Sequence, residues 1–249
     1  MDNAVNGRND NRKPVTIACT VDDMQLLGSS VYRIQICCNE GSVPAYKAGQ
    51  YLEVMLPDGS GCAFSIASAP ETGQKMLELH VQYLPDRPSS QTLLDVFRHK
   101  NITVTMPKGR CCLDKVPHKP LLFIAAGTGF AQIKSMVEFR LRQEPVHPVH
   151  VYWGTRSPAD FYCPNLPVQW VNQGVYYHPV VSHVEDDVQW SGRHGFLYEA
   201  VLSDRDRFGD ADIYISGSPA MVYKTTDALV NAGFSESAIY SDVFDYAPR

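Results

Sequence analysis

One stretch constrains the chain more than any other. Leu121–Ala126 is an unbroken apolar run, followed at once by Gly127-Thr128-Gly129 and then by a helical repeat. A continuous apolar run of this length reads as a strand buried on both faces, as in a parallel sheet covered by helices. Phe130, Ile133, Val137 and Leu141 then fall on one side of a helix predicted over Phe130–Gln143. Glycines between the two let a backbone approach a ligand closely. The helix N-terminus offers unpaired N–H groups and a partial positive charge to a phosphate. The same residues serve equally as a tight strand-to-helix turn. The third glycine of the dinucleotide fingerprint is missing, since Gln132 occupies that position.

The pattern continues as strands alternating with helices. Strands are predicted at Val149–Trp153, Tyr176–Val181 and Ile213–Ser216, with a closing strand at Ile239–Phe244. Helices are predicted at Phe196–Leu202 and Pro219–Asn231, the latter with Pro219 in its first turn and Gly233 at its end. This β-α-β order implies a mainly parallel sheet. A second small-residue turn, Gly217-Ser218-Pro219, follows Ile213–Ser216. Two such turns at the carboxyl ends of parallel strands can face each other across a cleft, which favours a nucleotide site over a turn alone.

The first half has a different period. Leu77, Leu79, Val81 and Tyr83 alternate with Glu78, His80 and Gln82, and Ile102, Val104 and Met106 alternate with Thr103 and Thr105. Val31–Cys38 and Tyr51–Leu56 also read as strands, and Phe64–Pro70 as a strand running into a turn. Turn signals fall at Gly41-Ser42, Pro57–Gly61, Pro70–Gly73 and Pro107–Gly109. The expectation is an antiparallel barrel or sandwich, interrupted by one helix near Gln91–His99 with Ser90 as its cap. Val116–Pro120 reads as a linker. The predicted division is a flexible tail over residues 1–14, a β domain over 15–116 and an α/β domain over 117–249.

Composition excludes several functions. The net charge of −5 lacks the basic face that nucleic acid requires. No apolar run approaches the ~20 residues that cross a bilayer, and the first fourteen residues carry no apolar signal core. Seven cysteines, with no C-x-x-C and no cluster spacing, read as reduced thiols of a cytoplasmic protein without a metal site.

The ordered combination of Phe64-Ser65-Ile66-Ala67-Ser68, Leu121–Phe130, Val151–Arg156, Gly192–Gly195, Ile213–Pro219 and Asp242-Val243-Phe244 resembles the ferredoxin–NADP reductase superfamily. It is most similar to the small bacterial NAD(P)H:flavin oxidoreductases, including those that supply reduced flavin to luciferase. The resemblance covers the chain from Val15 onward. It implies a six-stranded antiparallel flavin-binding barrel followed by an α/β domain that binds NADPH or NADH. On that resemblance Ser65 lies near flavin N5 and orients it as the catalytic residue. Phe64 packs near the flavin, and Ile66, Ala67 and Ser68 offer backbone contacts. Gly127, Thr128, Gly129 and Phe130 belong to the nucleotide pyrophosphate site, and Gly217, Ser218 and Pro219 flank the nicotinamide. Phe244 and Tyr246 are the aromatics available to a flavin ring, or equally to the core.

The chain departs from that family in one place. An arginine usually begins the flavin motif, where Cys62-Ala63-Phe64-Ser65 stands here. A hydrogen bond to a charged group contributes roughly 1.5–3 kcal/mol, so its loss weakens phosphate binding by about tenfold to a hundredfold. Flavin (riboflavin, FMN or FAD) is therefore expected to bind loosely, as an exchanged substrate, with Arg87 the candidate compensating charge. Arg156, and secondarily Arg193, are candidates for a nucleotide 2′-phosphate, and both nucleotides are expected to serve. The implied activity is transfer of a hydride from nicotinamide to flavin, which then reduces an oxygenase, ferric iron or oxygen. The alternatives are an FAD-containing component serving one protein partner such as an oxygenase, and a non-catalytic nucleotide-sensing module. His80 and His183 read as structural or surface residues.

Overall fold

A computed structural model describes residues 13–113, 118–143, 147–184 and 188–249. The first sheet uses β1 (Val15–Leu27), β2 (Val31–Cys38), β3 (Tyr51–Met55), β4 (Gly61–Ser65), β5 (Met76–Gln82) and β6 (Asn101–Lys108), with α1 (Pro88–Arg98) between the last two. All pairings are antiparallel, in the order β4-β3-β6-β1-β2-β5. The two edges meet just past β4. Ile66 bridges Leu79 of β5, and the Ala67 N–H donates to the Glu78 carbonyl at 2.8 Å. The sheet thereby closes into a barrel, which removes its exposed edges. Inward-facing Ile34, Ile36, Leu52, Val54, Ile66, Leu77, Leu79 and Val104 are no more than 1% exposed.

Two details depart from the sequence reading. The long β1 lacks a clean alternation, because a register shift between Val21 and Asp23 breaks its period. Helix α1 begins at Pro88 rather than Gln91, since proline is pre-set for a first helical turn. Ser90 is not its cap: the Ser90 Oγ accepts the Leu84 N–H at 3.3 Å.

The second sheet uses β7 (Leu121–Ala126), β8 (Val149–Thr155), β9 (Tyr176–Val181), β10 (Arg193–His194), β11 (Asp212–Ser216) and β12 (Ile239–Tyr240). Its helices are α2 (Phe130–Leu141), α3 (Asn165–Val171), α4 (Leu197–Ser203), α5 (Pro219–Asn231) and α6 (Val243–Tyr246). The strands are parallel, in the order β10-β9-β8-β7-β11-β12. Helices cover both faces. Phe123 packs with Phe130, Ile133 and Trp170 from α2 and α3, while Leu122 and Ile124 pack with Leu197, Val201, Val222 and Leu229 from α4 and α5. The apolar run at β7 follows from this double burial.

The predicted closing strand Ile239–Phe244 is wrong beyond Tyr240. The chain leaves the sheet after two strand residues and turns into α6, with the Ser241 Oγ accepting the Val243 N–H at 3.3 Å. Residues 1–12 of the predicted tail and 116–117 of the predicted linker lie outside the described residues. No helix among the described residues is long and apolar enough to cross a membrane.

Ile66 closes the barrel and is fully buried, so its side chain is a core element. Ile66→Val is expected to cost about 0.5–1.5 kcal/mol and Ile66→Ala about 2–5 kcal/mol in urea unfolding. Equal stability of the Ala variant and the wild type would place Ile66 outside the core.

Candidate active site

Strand order reverses between β7 and β11, and open parallel sheets take ligands in the crevice at such a reversal. The turns that follow these two strands touch there. Gly129 is required by that contact, because a Cβ on it would stand 2.6 Å from the Ser216 carbonyl carbon. Gly127 has a φ of +53° and open space where a Cβ would be, so it presents bare backbone to the crevice. The Trp153 Nε1 donates to the Gly127 carbonyl at 3.0 Å and anchors the turn.

Two cavities open on either side of these turns. The first, of about 640 Å³, lies over the carboxyl ends of β7, β8, β9 and β11. Gly127, Thr128, Thr155, Arg156, Ser218 and Lys224 are among its lining residues. Phe196 and Tyr198 stand in its wall as stacked rings 5.8 Å apart, with the Lys224 ammonium 4.4 Å from the Phe196 ring centre. The second, of about 710 Å³, lies between the barrel and the turns. Tyr51, Cys62, Phe64, Ser65, Arg87, Gly129, Gly217, Asp242 and Tyr246 are among its lining residues. Thr128 and Gln82 border both cavities, so the two spaces meet there. Each has the size of an ordinary cofactor site.

The predicted site residues divide accordingly. Phe64, Ser65, Gly129 and Gly217 line the barrel-side cavity, Gly127, Arg156 and Ser218 line the other, and Thr128 lines both. Ile66, Ala67 and Phe130 are 0% exposed. Phe130 stacks on Trp153 at 3.7 Å, so its ring faces the core. The Ser68 carbonyl accepts from the Tyr46 hydroxyl and the Ser135 Oγ, which holds the turn after β4 from behind. Pro219 is the first residue of α5, and the Ser218 Oγ caps that helix by accepting the Met221 N–H at 3.4 Å. Arg193 is not available to a phosphate, because its guanidinium is bound to Asp204, Ser203 and the Ala200 carbonyl. Phe244 packs against Tyr223, whereas Tyr246 stands in the cavity wall.

Several residues in these walls are not marked as site residues by the sequence, among them Tyr51, Gln132, Lys224 and Asp242. Asp242 is held by Gln132 Nε2 at 2.7 Å and by the Cys111 N–H at 3.3 Å. Burial, against those two hydrogen bonds, pushes its carboxyl up to about 6.

The comparisons with known proteins agree with this architecture. Residues 123–227 match the family model described as an oxidoreductase NAD-binding domain. The chain is 32% identical to an NAD(P)H-flavin reductase of Vibrio harveyi over 82% of its own length and 87% of that protein's. It belongs to the NAD(P)H-flavin reductase family. It is also 30% identical to a CDP-6-deoxy-L-threo-D-glycero-4-hexulose-3-dehydrase reductase of Yersinia pestis, covering 92% of this chain and 69% of that one. Among solved structures, a cytochrome P450 reductase of Amycolatopsis superposes with a TM-score of 0.81 at 25% identity, over 92% of this chain and 69% of that chain. The six-stranded antiparallel barrel followed by a parallel six-stranded sheet is thus a fold that the chain shares with that reductase.

Asp242 yields a pH test. The unfolded chain releases this proton near 3.8 and the folded one at about 6. The contribution is thus present below pH ~4 and is lost as the pH rises through ~6. Asp242→Asn cannot ionise, so its stability relative to wild type should rise between pH 4 and 7 in urea unfolding. Parallel profiles for the two proteins would contradict the buried placement of this carboxyl.

Proposed function

We propose that this NAD(P)H-dependent flavin reductase seats the nicotinamide nucleotide in the cavity over the parallel sheet and takes flavin in the barrel-side cavity as an exchangeable substrate. The observation that carries this reading is the meeting of the two cavities at Thr128 and Gln82. When both are bound, the nicotinamide supplies a hydride, two electrons and one proton together, to flavin N5. The chain contributes position and electrostatics. Gly127 and Thr128, at the entry to α2, present backbone to a pyrophosphate, and Ser218 and Gly217 border the junction between cavities. Ser65 stands at the end of β4 in the barrel-side wall, where its hydroxyl can hydrogen-bond the accepting edge of the ring.

The charged residues support a placement for the outer ends of the ligands. Arg87 lines the same cavity as Cys62, at the N-terminus of α1, and so stands where it can replace the arginine that Cys62 lacks. In the nucleotide cavity, the Asp160 Oδ2 accepts from the Ser157 N–H and Oγ, both at 2.8 Å, and its Oδ1 can still accept from a ribose hydroxyl. Arg156 and Lys224 supply positive charge in that cavity, which supports use of NADPH as well as NADH. The reduced flavin is passed to an oxygenase or a ferric acceptor. The likeness to a cytochrome P450 reductase supports a second reading, a component with resident FAD that serves a protein partner. Loss of flavin on gel filtration favours the first reading, and a one-to-one FAD complex favours the second.

The deciding assay is NADH and NADPH oxidation with and without added riboflavin, FMN or FAD. Saturable oxidation that requires added flavin is expected, and Ser65→Ala should lower kcat about a hundredfold. Absence of oxidation with every flavin would overturn the catalytic reading. Cys62→Arg should lower the KM for FMN about tenfold or more and leave that for riboflavin unchanged. An equal effect on both would remove the phosphate end of the ligand from Cys62.

A further inference from the structure

A chain of buried polar groups joins the walls of the two cavities. His80 on β5 is 5% exposed and lines the barrel-side cavity. Tyr162, between β8 and α3, is 5% exposed and lines the nucleotide cavity. Their side chains meet: His80 Nδ1 lies 3.1 Å from the Tyr162 hydroxyl, and the rings pack edge to face at 5.3 Å. On its other side His80 Nε2 is 2.9 Å from Glu78 Oε1, and Lys134 of α2 reaches the same oxygen at 3.3 Å.

Chemistry gives this chain a direction. Burial opposes ionisation of Glu78, but the His80 hydrogen bond and Lys134 outweigh it and hold the carboxyl near about 2. A carboxylate only accepts, so Nε2 carries the imidazole proton. Burial, against Glu78, keeps the His80 pKa below its ordinary value and the ring neutral. A neutral imidazole has one N–H, so Nδ1 accepts and the Tyr162 hydroxyl donates. The chain then touches both cofactor-facing turns. Tyr162 packs edge-on against Trp153 at 5.1 Å, and Trp153 holds the Gly127 carbonyl. Lys134 Nζ donates to the Ala67 carbonyl at 3.2 Å, in the turn that follows Ser65.

We propose that Lys134, Glu78, His80 and Tyr162 form a positioning chain that sets the flavin-side turn against the nucleotide-side turn, with the His80–Tyr162 hydrogen bond as its crossing point. The proposal rests on the flavin reductase reading. Hydride transfer is steep in distance, and a misplacement of about 1 Å can cost about a hundredfold. The crossing bond therefore governs the transfer step rather than the affinity for either ligand. These four are positioning residues, since they act through the turns they hold.

The test uses Tyr162→Phe, which keeps the packed ring, and His80→Gln. In the ligand-free protein, ¹⁵N histidine NMR should show His80 protonated at Nε2 and not at Nδ1. Tyr162→Phe should move the Nδ1 resonance and leave Nε2 in place. With flavin and NADPH, each variant should lose about tenfold in kcat, with both KM values changed less than about twofold. The double variant should be no slower than the slower single one. The isotope effect of nicotinamide deuterated at the transferred position should rise in Tyr162→Phe, a change that lowered stability alone does not produce. An unchanged kcat, multiplicative losses, or a proton on Nδ1 would overturn the proposal. A wild-type protein inactive with every flavin would sink the flavin reductase reading and the positioning role with it, while the His80 tautomer still reports whether the chain exists.

Discussion

Both cavity-facing turns hang from one helix. The entry to α2 abuts Ser216 and Gly217, and one turn further on Lys134 and Ser135 donate to the carbonyls of Ala67 and Ser68 in the barrel. Between them Gln132 reaches the Gly49 carbonyl at 2.8 Å and the Asp242 carboxylate at 2.7 Å. A helix is stiff on this length scale, so the spacing between the two cavities is carried by one rigid body. Its polar face is buried because the barrel lies over it. Lys134 is offset by Glu78 at 3.3 Å and Glu138 at 3.0 Å. A buried charge retained in this way is weak evidence for stability, and directed hydrogen bonds specify geometry better than apolar contact does.

The two cavities differ in their electrostatics. The cavity over the parallel sheet carries Arg156, Lys224 and Asp160, with aromatic rings beneath the lysine. The barrel-side cavity carries the partly buried Asp242 near the turns, Glu53 and Cys62 in the barrel wall and Arg87 at the head of α1. The first is the more cationic of the two. The second sets apolar and aromatic walls beside two carboxylates, with Arg87 as its arginine among the described lining residues.

Legibility in the sequence followed locality. The β7 run, the Gly127–Gly129 turn and the Pro219-started α5 were readable because each is set by residues close together in the chain. The long β1 was hidden by its register shift, and α6 by aromatics that also suit a strand. The Phe64–Ser68 motif was readable as a segment but not residue by residue. Phe64 and Ser65 face the cavity, while Ile66 and Ala67 next to them are turned into the core. Gln132, Lys134 and Ser135 look like the wet face of a helix in the sequence. They are buried because a separate sheet covers them, and no local signal reports that cover.

The sequence by itself determined the antiparallel alternation of the first half, the parallel α/β sheet and the two small-residue turns, because period and turn chemistry act over a few residues. The tertiary structure decided which side chains face the cavities, that the cavities share Thr128 and Gln82, and that Arg193 is consumed by Asp204. It alone brought His80 to Tyr162 across 82 positions and Lys134 to Ala67 across 67. Contacts at such separations depend on how the two sheets dock, and docking is set by summed burial over both surfaces rather than by any short run of residues.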